Sequence, residues 1–216
     1  MKRGAIFDMD GTIFDTEKFY RRAWVETADF FGVERKPSLG LEMGGVNFAQ
    51  AMNIFAKYYP QVDGQKYFDK VVETATAWIA DELEFLPGAK EILEFFASKK
   101  VSMAVASGSY HATIDKNLRR AGVREYFSAI VGGDDVINGK PAPDIFLKAA
   151  AELNLAPNDC YVFEDSFNGI ISAHRAGCVP VMIPNQREPT DDVRKICSGV
   201  YKNFFEMIDA LNRQEI

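Results

Sequence analysis

Four times in this chain a short apolar run stops directly on a polar cluster, and that recurrence constrains the fold more than any other feature. Gly4-Ala5-Ile6-Phe7 leads into Asp8-Met9-Asp10-Gly11-Thr12, and Val101-Ser102-Met103-Ala104-Val105-Ala106 leads into Ser107-Gly108-Ser109. Ala129-Ile130-Val131 ends on Gly132-Gly133-Asp134-Asp135, and Cys160-Tyr161-Val162-Phe163 ends on Glu164-Asp165-Ser166. Runs of this length suit buried strands, although each alone could be a helix fragment. Between them the apolar residues fall at helical spacing: Ile92, Leu93 and Phe96; Ile114 and Leu118, closed by Gly122; Phe146, Ala149, Ala150 and Leu153; then a stretch ending at Gly177. Val179 to Ile183 supplies a further strand, with Pro180 favouring a place near an edge, and Phe204 to Leu211 reads as a closing helix. Strands that alternate with helices predict a parallel sheet covered on both faces, with ligands beyond the carboxyl ends of the strands.

One segment breaks the alternation. Residues 15–84 carry three helical stripes: Tyr20, Ala23, Trp24, Ala28 and Phe31; Phe48, Ala51, Met52, Phe55, Ala56 and Tyr59; Phe68, Val71, Val72, Ala75, Trp78 and Ile79. Thr16 suits an N-cap, Gly32 a left-handed C-terminus, and Pro60 a stop. The expected organisation is a core domain of residues 1–14 and 85–216 interrupted by a helical cap of residues 15–84, whose aromatics pack between helices.

Composition removes several function classes. A net charge of -6 argues against a nonspecific grip on nucleic acid or anionic lipid. Three widely spaced cysteines and two histidines argue against a disulfide framework and a zinc site. No stretch approaches the ~18 apolar residues that span a bilayer, and no apolar leader precedes the first strand, so the expectation is a cytoplasmic monomer.

The polar clusters suggest chemistry. If the backbone stays extended past Phe7, Asp8 and Asp10 point to one side and repel unless a shared proton, a Lys or Arg, or a metal offsets the charge. Gly11 allows a sharp turn that leaves its amide for a ligand, and Thr12 adds a hydroxyl. A plain polar turn is the competing reading. Ser107 with the amides of Gly108 and Ser109, at a helix N-terminus, could cradle a phosphate. Lys140, between Gly139 and Pro141, offers a fixed positive charge. Four carboxylates at one sheet edge, Asp8, Asp10, Glu164 and Asp165, suit a hard cation, and Mg2+ best, because it takes a few carboxylates, waters and a substrate phosphate.

Asp8-Met9-Asp10-Gly11-Thr12, Ser107, Lys140-Pro141 and Glu164-Asp165, in that order, resemble the four motifs of the haloacid dehalogenase superfamily. The resemblance spans the chain, includes a cap at the first insertion point, and implies a Rossmann-like core. Phe-Asp-Met-Asp-Gly-Thr-Ile-Phe-Asp-Thr, Gly-Lys-Pro-Ala-Pro-Asp-Ile-Phe and Phe-Glu-Asp-Ser-Phe-Asn-Gly-Ile most resemble the β-phosphoglucomutase-like branch of sugar-phosphate phosphatases and mutases. It implies that Asp8 is the nucleophile and becomes an aspartyl phosphate, and that Asp10 is the acid and base. It implies too that Lys140 offsets phosphoryl charge, and that Asp8, the Asp10 carbonyl and Asp165 hold Mg2+, with Glu164 in or just outside that shell. Thr16, Tyr20, Gly45, Val46 and Asn47 are its cap-facing candidates.

Departures from the family pattern narrow the activity. Halide-displacing members lack the second Asp, so Asp10 argues against that reaction. Mutases carry a cap Lys, an Arg beyond it and a His on the first cap helix, where this chain has Gly44-Gly45-Val46-Asn47-Phe48 and Tyr20. No cap lysine, Lys57 included, can be assigned to the Schiff base of the phosphonate-cleaving members. A phospho-signalling receiver pairs similar groups but lacks a cap. The expectation is a Mg2+-dependent hydrolase of a small phosphorylated metabolite, with sugar phosphates the leading class and a phosphosugar mutase the alternative.

Overall fold

Along the chain, strands and helices follow as β1 (Gly4–Phe7), α1 (Glu17–Phe30), α2 (Pro37–Glu42), α3 (Phe48–Tyr58), α4 (Gly64–Asp81), α5 (Ala89–Ser98), β2 (Ser102–Ala106), α6 (His111–Arg120), β3 (Ala129–Val131), α7 (Asp144–Glu152), β4 (Cys160–Glu164), α8 (Phe167–Arg175), β5 (Val179–Met182), α9 (Asp191–Ile196), β6 (Gly199–Val200) and α10 (Phe204–Asn212). This computed structural model describes residues 1–44, 46 and 48–216. Two units form, one of Met1–Asp15 with Phe85–Ile216, the other of Thr16–Glu84.

In the first unit the six strands order as β3-β2-β1-β4-β5-β6, all pairs parallel. β1, β3 and β4 are buried along their whole length, which is why they read as continuous apolar runs. Period-2 alternation divides their side chains. Phe7 pairs in register with Phe163 and the rings stack at 4.8 Å, with Phe96 of α5 and Phe204 of α10 against them. Ile6 and Val162 point the other way, into a cluster with Ile145, Phe146 and Ala149 of α7. Pro180 lies on β5, one strand in from the edge, because the two-residue β6 adds a partner that no apolar run announces.

The second unit packs α1 to α4 around Trp24, Phe55, Tyr67, Val71, Ala75 and Ile79. The buried row of α4 starts at Tyr67, not at Phe68 as the stripe suggested. The Tyr67 ring stacks on Trp24 and Phe31, and its hydroxyl donates to the Trp24 carbonyl at 2.8 Å, so the polar tip is satisfied inside. Helix α2 was not anticipated: its six residues are too few for a periodic stripe. Gly40 brings it close to α1, since a Cβ there would lie 2.4 Å from the Arg21 carbonyl oxygen. Thr16 holds the N-cap position of α1 but has a right-handed helical backbone and makes no side-chain capping bond. Gly32 is left-handed, as its position required. Among the described residues no helix is long and apolar enough to cross a membrane.

Candidate active site

The strand order reverses between β1 and β4, the place where an open parallel sheet leaves a crevice beyond its carboxyl ends. Asp8 continues β1 into that crevice, its N–H donating to the Phe163 carbonyl at 3.0 Å, and Glu164 ends β4 alongside. Both are buried. Lys140, from the loop between β3 and α7, reaches over the end of β2. Its ammonium donates to Asp8 Oδ1 at 2.6 Å, Glu164 Oε1 at 2.5 Å and the Ala106 carbonyl at 3.1 Å.

Three carboxylates crowd one ammonium. Asp8, Glu164 and Asp165 each bring a carboxylate oxygen within 4.8 Å of the others. At that separation two charges repel by about 3.5 kcal/mol for an effective dielectric of ~20. Three carboxylates against one ammonium leave a formal charge of -2 if all are ionised. Burial pushes the Asp8 carboxyl well up, opposed by Lys140, and the neighbouring Glu164 and Asp10 push it further. Burial also opposes the Lys140 charge, but Asp8 and Glu164 outweigh it, so its pKa is raised and the ammonium stays charged. An all-oxygen donor set of three closely spaced carboxylates fits a hard divalent cation such as Mg2+.

Three expectations about the first loop are corrected. Asp10 does not join the three clustered carboxylates through its side chain. Its Oδ2 accepts from the Ser109 hydroxyl at 2.6 Å and the Ser107 hydroxyl at 3.3 Å, and the chain turns just beyond it, over residues 11–13. The N–H groups of Thr12, Ile13 and Phe14 all point back to the Met9 carbonyl in that turn. The Gly11 amide is not left for a ligand: at φ 78° it donates to the Phe14 carbonyl at 2.9 Å. Thr12 is fully buried and its hydroxyl has no hydrogen-bond partner, so it lies inside the turn without facing an opening.

The second loop is wired to the first. Ser107, almost fully buried, accepts from the Ser109 amide at 3.2 Å while donating to Asp10. These residues precede α6, which starts at His111, so Ser107 and Ser109 stand ahead of the helix N-terminus where it was expected; Gly108 between them is exposed. Asp134 and Asp135 brace this loop from β3. Asp134 accepts from the His111 amide at 2.8 Å, and Asp135 meets His111 Nδ1 at 2.7 Å and the Gly132 amide at 2.8 Å. The Gly132 amide first, then His111, hold the Asp135 carboxyl below its usual range. Asn185, which sequence reasoning missed, donates to the Gly11 carbonyl at 3.3 Å. Its position just after β5, at the same sheet edge, was the available signal.

Of the cap-facing candidates, Thr16 is buried, and Tyr20 and Val46 are half-buried against the second unit's core. Gly45 and Asn47 lie outside the described residues.

A family model described as haloacid dehalogenase-like hydrolase matches residues 2–177. The chain belongs to that family. Among curated relatives of this hydrolase, a phosphorylated carbohydrates phosphatase of Thermotoga maritima is 35% identical over 173 residues, covering 80% of each chain. A fructose-1-phosphate phosphatase of Escherichia coli is 34% identical over 175 residues, covering 81% of this chain and 92% of the relative. A crystal structure of β-phosphoglucomutase from Clostridium difficile superposes with a TM-score of 0.78 over 99% of each chain, and its 22% identity speaks for the fold alone.

Proposed function

We propose that this hydrolase cleaves phosphomonoesters of small metabolites, sugar phosphates foremost, with Mg2+ and through an aspartyl phosphate on Asp8. The observation that carries the reading is Asp8 held on Lys140 at 2.6 Å inside a three-carboxylate cluster. A carboxylate nucleophile needs a fixed cation beside it before a phosphate dianion can approach. The named activities of the two curated relatives supply the substrate class.

Asp8, Glu164 and Asp165 side chains and the Asp10 carbonyl would hold the Mg2+, which when bound supplies positive charge against the phosphoryl oxygens. Asp8 Oδ attacks phosphorus, and the ester oxygen leaves with a proton from Asp10. Asp10 then takes a proton from the water that hydrolyses the acyl phosphate, so each role needs the protonation state that the other leaves. Ser107 and Ser109 hold Asp10 ready through Oδ2, and Ser107 with Gly108 and Ser109 receives the phosphoryl group when those bonds are exchanged. Lys140 stays charged throughout.

The test is a panel of phosphorylated metabolites with Mg2+, with EDTA, and with Asp8→Asn. Phosphate release from a hexose or pentose phosphate, lost in EDTA and restored by Mg2+, is expected, with Asp8→Asn inactive while still folding cooperatively. Turnover by Asp8→Asn within tenfold of wild type removes the nucleophile assignment. Gly44 and Phe48 bring no cation for a second phosphate, and each missing charge-assisted contact costs about 1.5 to 3 kcal/mol. Conversion of β-glucose 1-phosphate to glucose 6-phosphate faster than phosphate release would make the enzyme a mutase.

A further inference from the structure

Gly169 is the third residue of α8 and has no left-handed backbone, so its conformation does not call for glycine. Inside a helix glycine costs about 1 kcal/mol relative to alanine, and something must offset that loss. The reason is spatial. A Cβ built on Gly169 would lie 1.9 Å from Glu164 Cδ, 2.0 Å from Oε1 and 2.2 Å from Oε2. The Glu164 carboxylate therefore occupies the volume that any other residue's side chain would need.

The same turn grips the carboxylate. Ser166 donates to Glu164 Oε2 twice, from its amide at 3.1 Å and its hydroxyl at 2.9 Å. The Ser166 hydroxyl in turn accepts from the Gly169 amide at 3.0 Å, which makes it the N-cap of α8. Oε1 is left to accept from Lys140 at 2.5 Å. One oxygen is anchored to the helix start and the other to the ammonium.

From this geometry we infer that Gly169 is a positioning residue: its missing side chain, with the Ser166 cap, forms the seat that fixes Glu164 against Lys140 and beside Asp8 and Asp165. The inference rests on the proposed role of that cluster in holding Mg2+. To restore ordinary carbon contact after Gly169→Ala, the Glu164 carboxyl must retreat by roughly 1.5 Å. A 2.5 Å hydrogen bond does not survive such a move. Glu164→Asp withdraws the carboxyl by one methylene, which should harm the wild type and help the Gly169→Ala protein.

The experiment compares wild type, Gly169→Ala, Glu164→Asp and the double variant by Mg2+ titration calorimetry and by melting of the metal-free protein. Supporting the inference, Gly169→Ala weakens Mg2+ binding by about 10- to 100-fold, the scale of lost support behind a metal ligand. Adding Glu164→Asp to it then recovers part of both the affinity and the melting temperature. Wild-type affinity in Gly169→Ala overturns it, as do losses that simply add in the double variant. If wild type takes up no Mg2+, the metal reading falls. The seat is then decided by the metal-free melting temperatures, where a sign reversal for Glu164→Asp supports it and additive losses overturn it. Should Gly169→Ala not fold, a folded double variant supports the seat and an insoluble one overturns it.

Discussion

Replacing Lys140 with methionine keeps the length and the apolar contact with Phe146, whose ring lies 5.0 Å below the ammonium, while removing the charge. Three hydrogen bonds go with it, two of them to buried carboxylates. Breaking a buried ion pair from one side costs about 3 to 5 kcal/mol, because the other charge stays buried without its partner. For a chain of this size each kcal/mol moves Tm by roughly 2 to 4 °C, so the expected drop is about 6 to 20 °C. The drop must depend on pH. Burial already raises the Asp8 carboxyl in the presence of Lys140, and losing the ammonium raises it further. An acid whose folded pKa lies above its unfolded value binds more protons when folded, so stability falls as pH rises through the folded value. The loss should be larger at pH 8 than at pH 5. Circular dichroism melts in EDTA at the two pH values read both effects. A variant within 2 °C of wild type at pH 8, or an equal deficit at both pH values, refutes the argument.

Asp135→Asn should destabilise the protein by about 1 to 2 kcal/mol at pH 7, the scale of a hydrogen bond to a charged group at a partly exposed site. Because the Asp135 carboxyl is depressed by the Gly132 amide and then His111, that stabilisation is present above its unfolded pKa and lost as pH falls through the folded one. Urea unfolding at pH 7 and pH 3.5 should show the gap closing, and a pH-independent gap contradicts the pairing. Burial pushes the thiols of Cys160, Cys178 and Cys197 up to about 11, 12 and 11, so iodoacetamide at pH 8 should label the native protein far more slowly than the urea-unfolded one; comparable rates by mass spectrometry contradict this. Gly32→Ala and Gly88→Ala both put alanine at positive φ, which costs about 1 to 2 kcal/mol. Only at Gly88 would the Cβ also strike backbone, 2.7 Å from the Phe205 nitrogen, so its loss in urea unfolding should be the larger, and equal losses refute the steric argument.

The alternation of apolar runs with helical stripes, and the acids, serine and glycines that punctuate it, carried the parallel sheet and the approximate place of most elements, because both periodicities are local properties of the chain. The six-residue helices α2 and α9, less than two turns each, and the two-residue β6 are too short to repeat their period, so they emerged only from packing. The polar clusters also named the chemical inventory at the sheet edge, since a residue that follows a parallel strand has nowhere else to point. How those groups pair was a different matter. Whether Asp10 accepts from Ser109 depends on a donor 99 residues away in the chain. The Asn185 contact to Gly11, across 174 residues, belongs to the same class. Hydrogen bonds are short and directional, so their partners are selected only when the sheet order has brought β1, β2, β4 and β5 side by side.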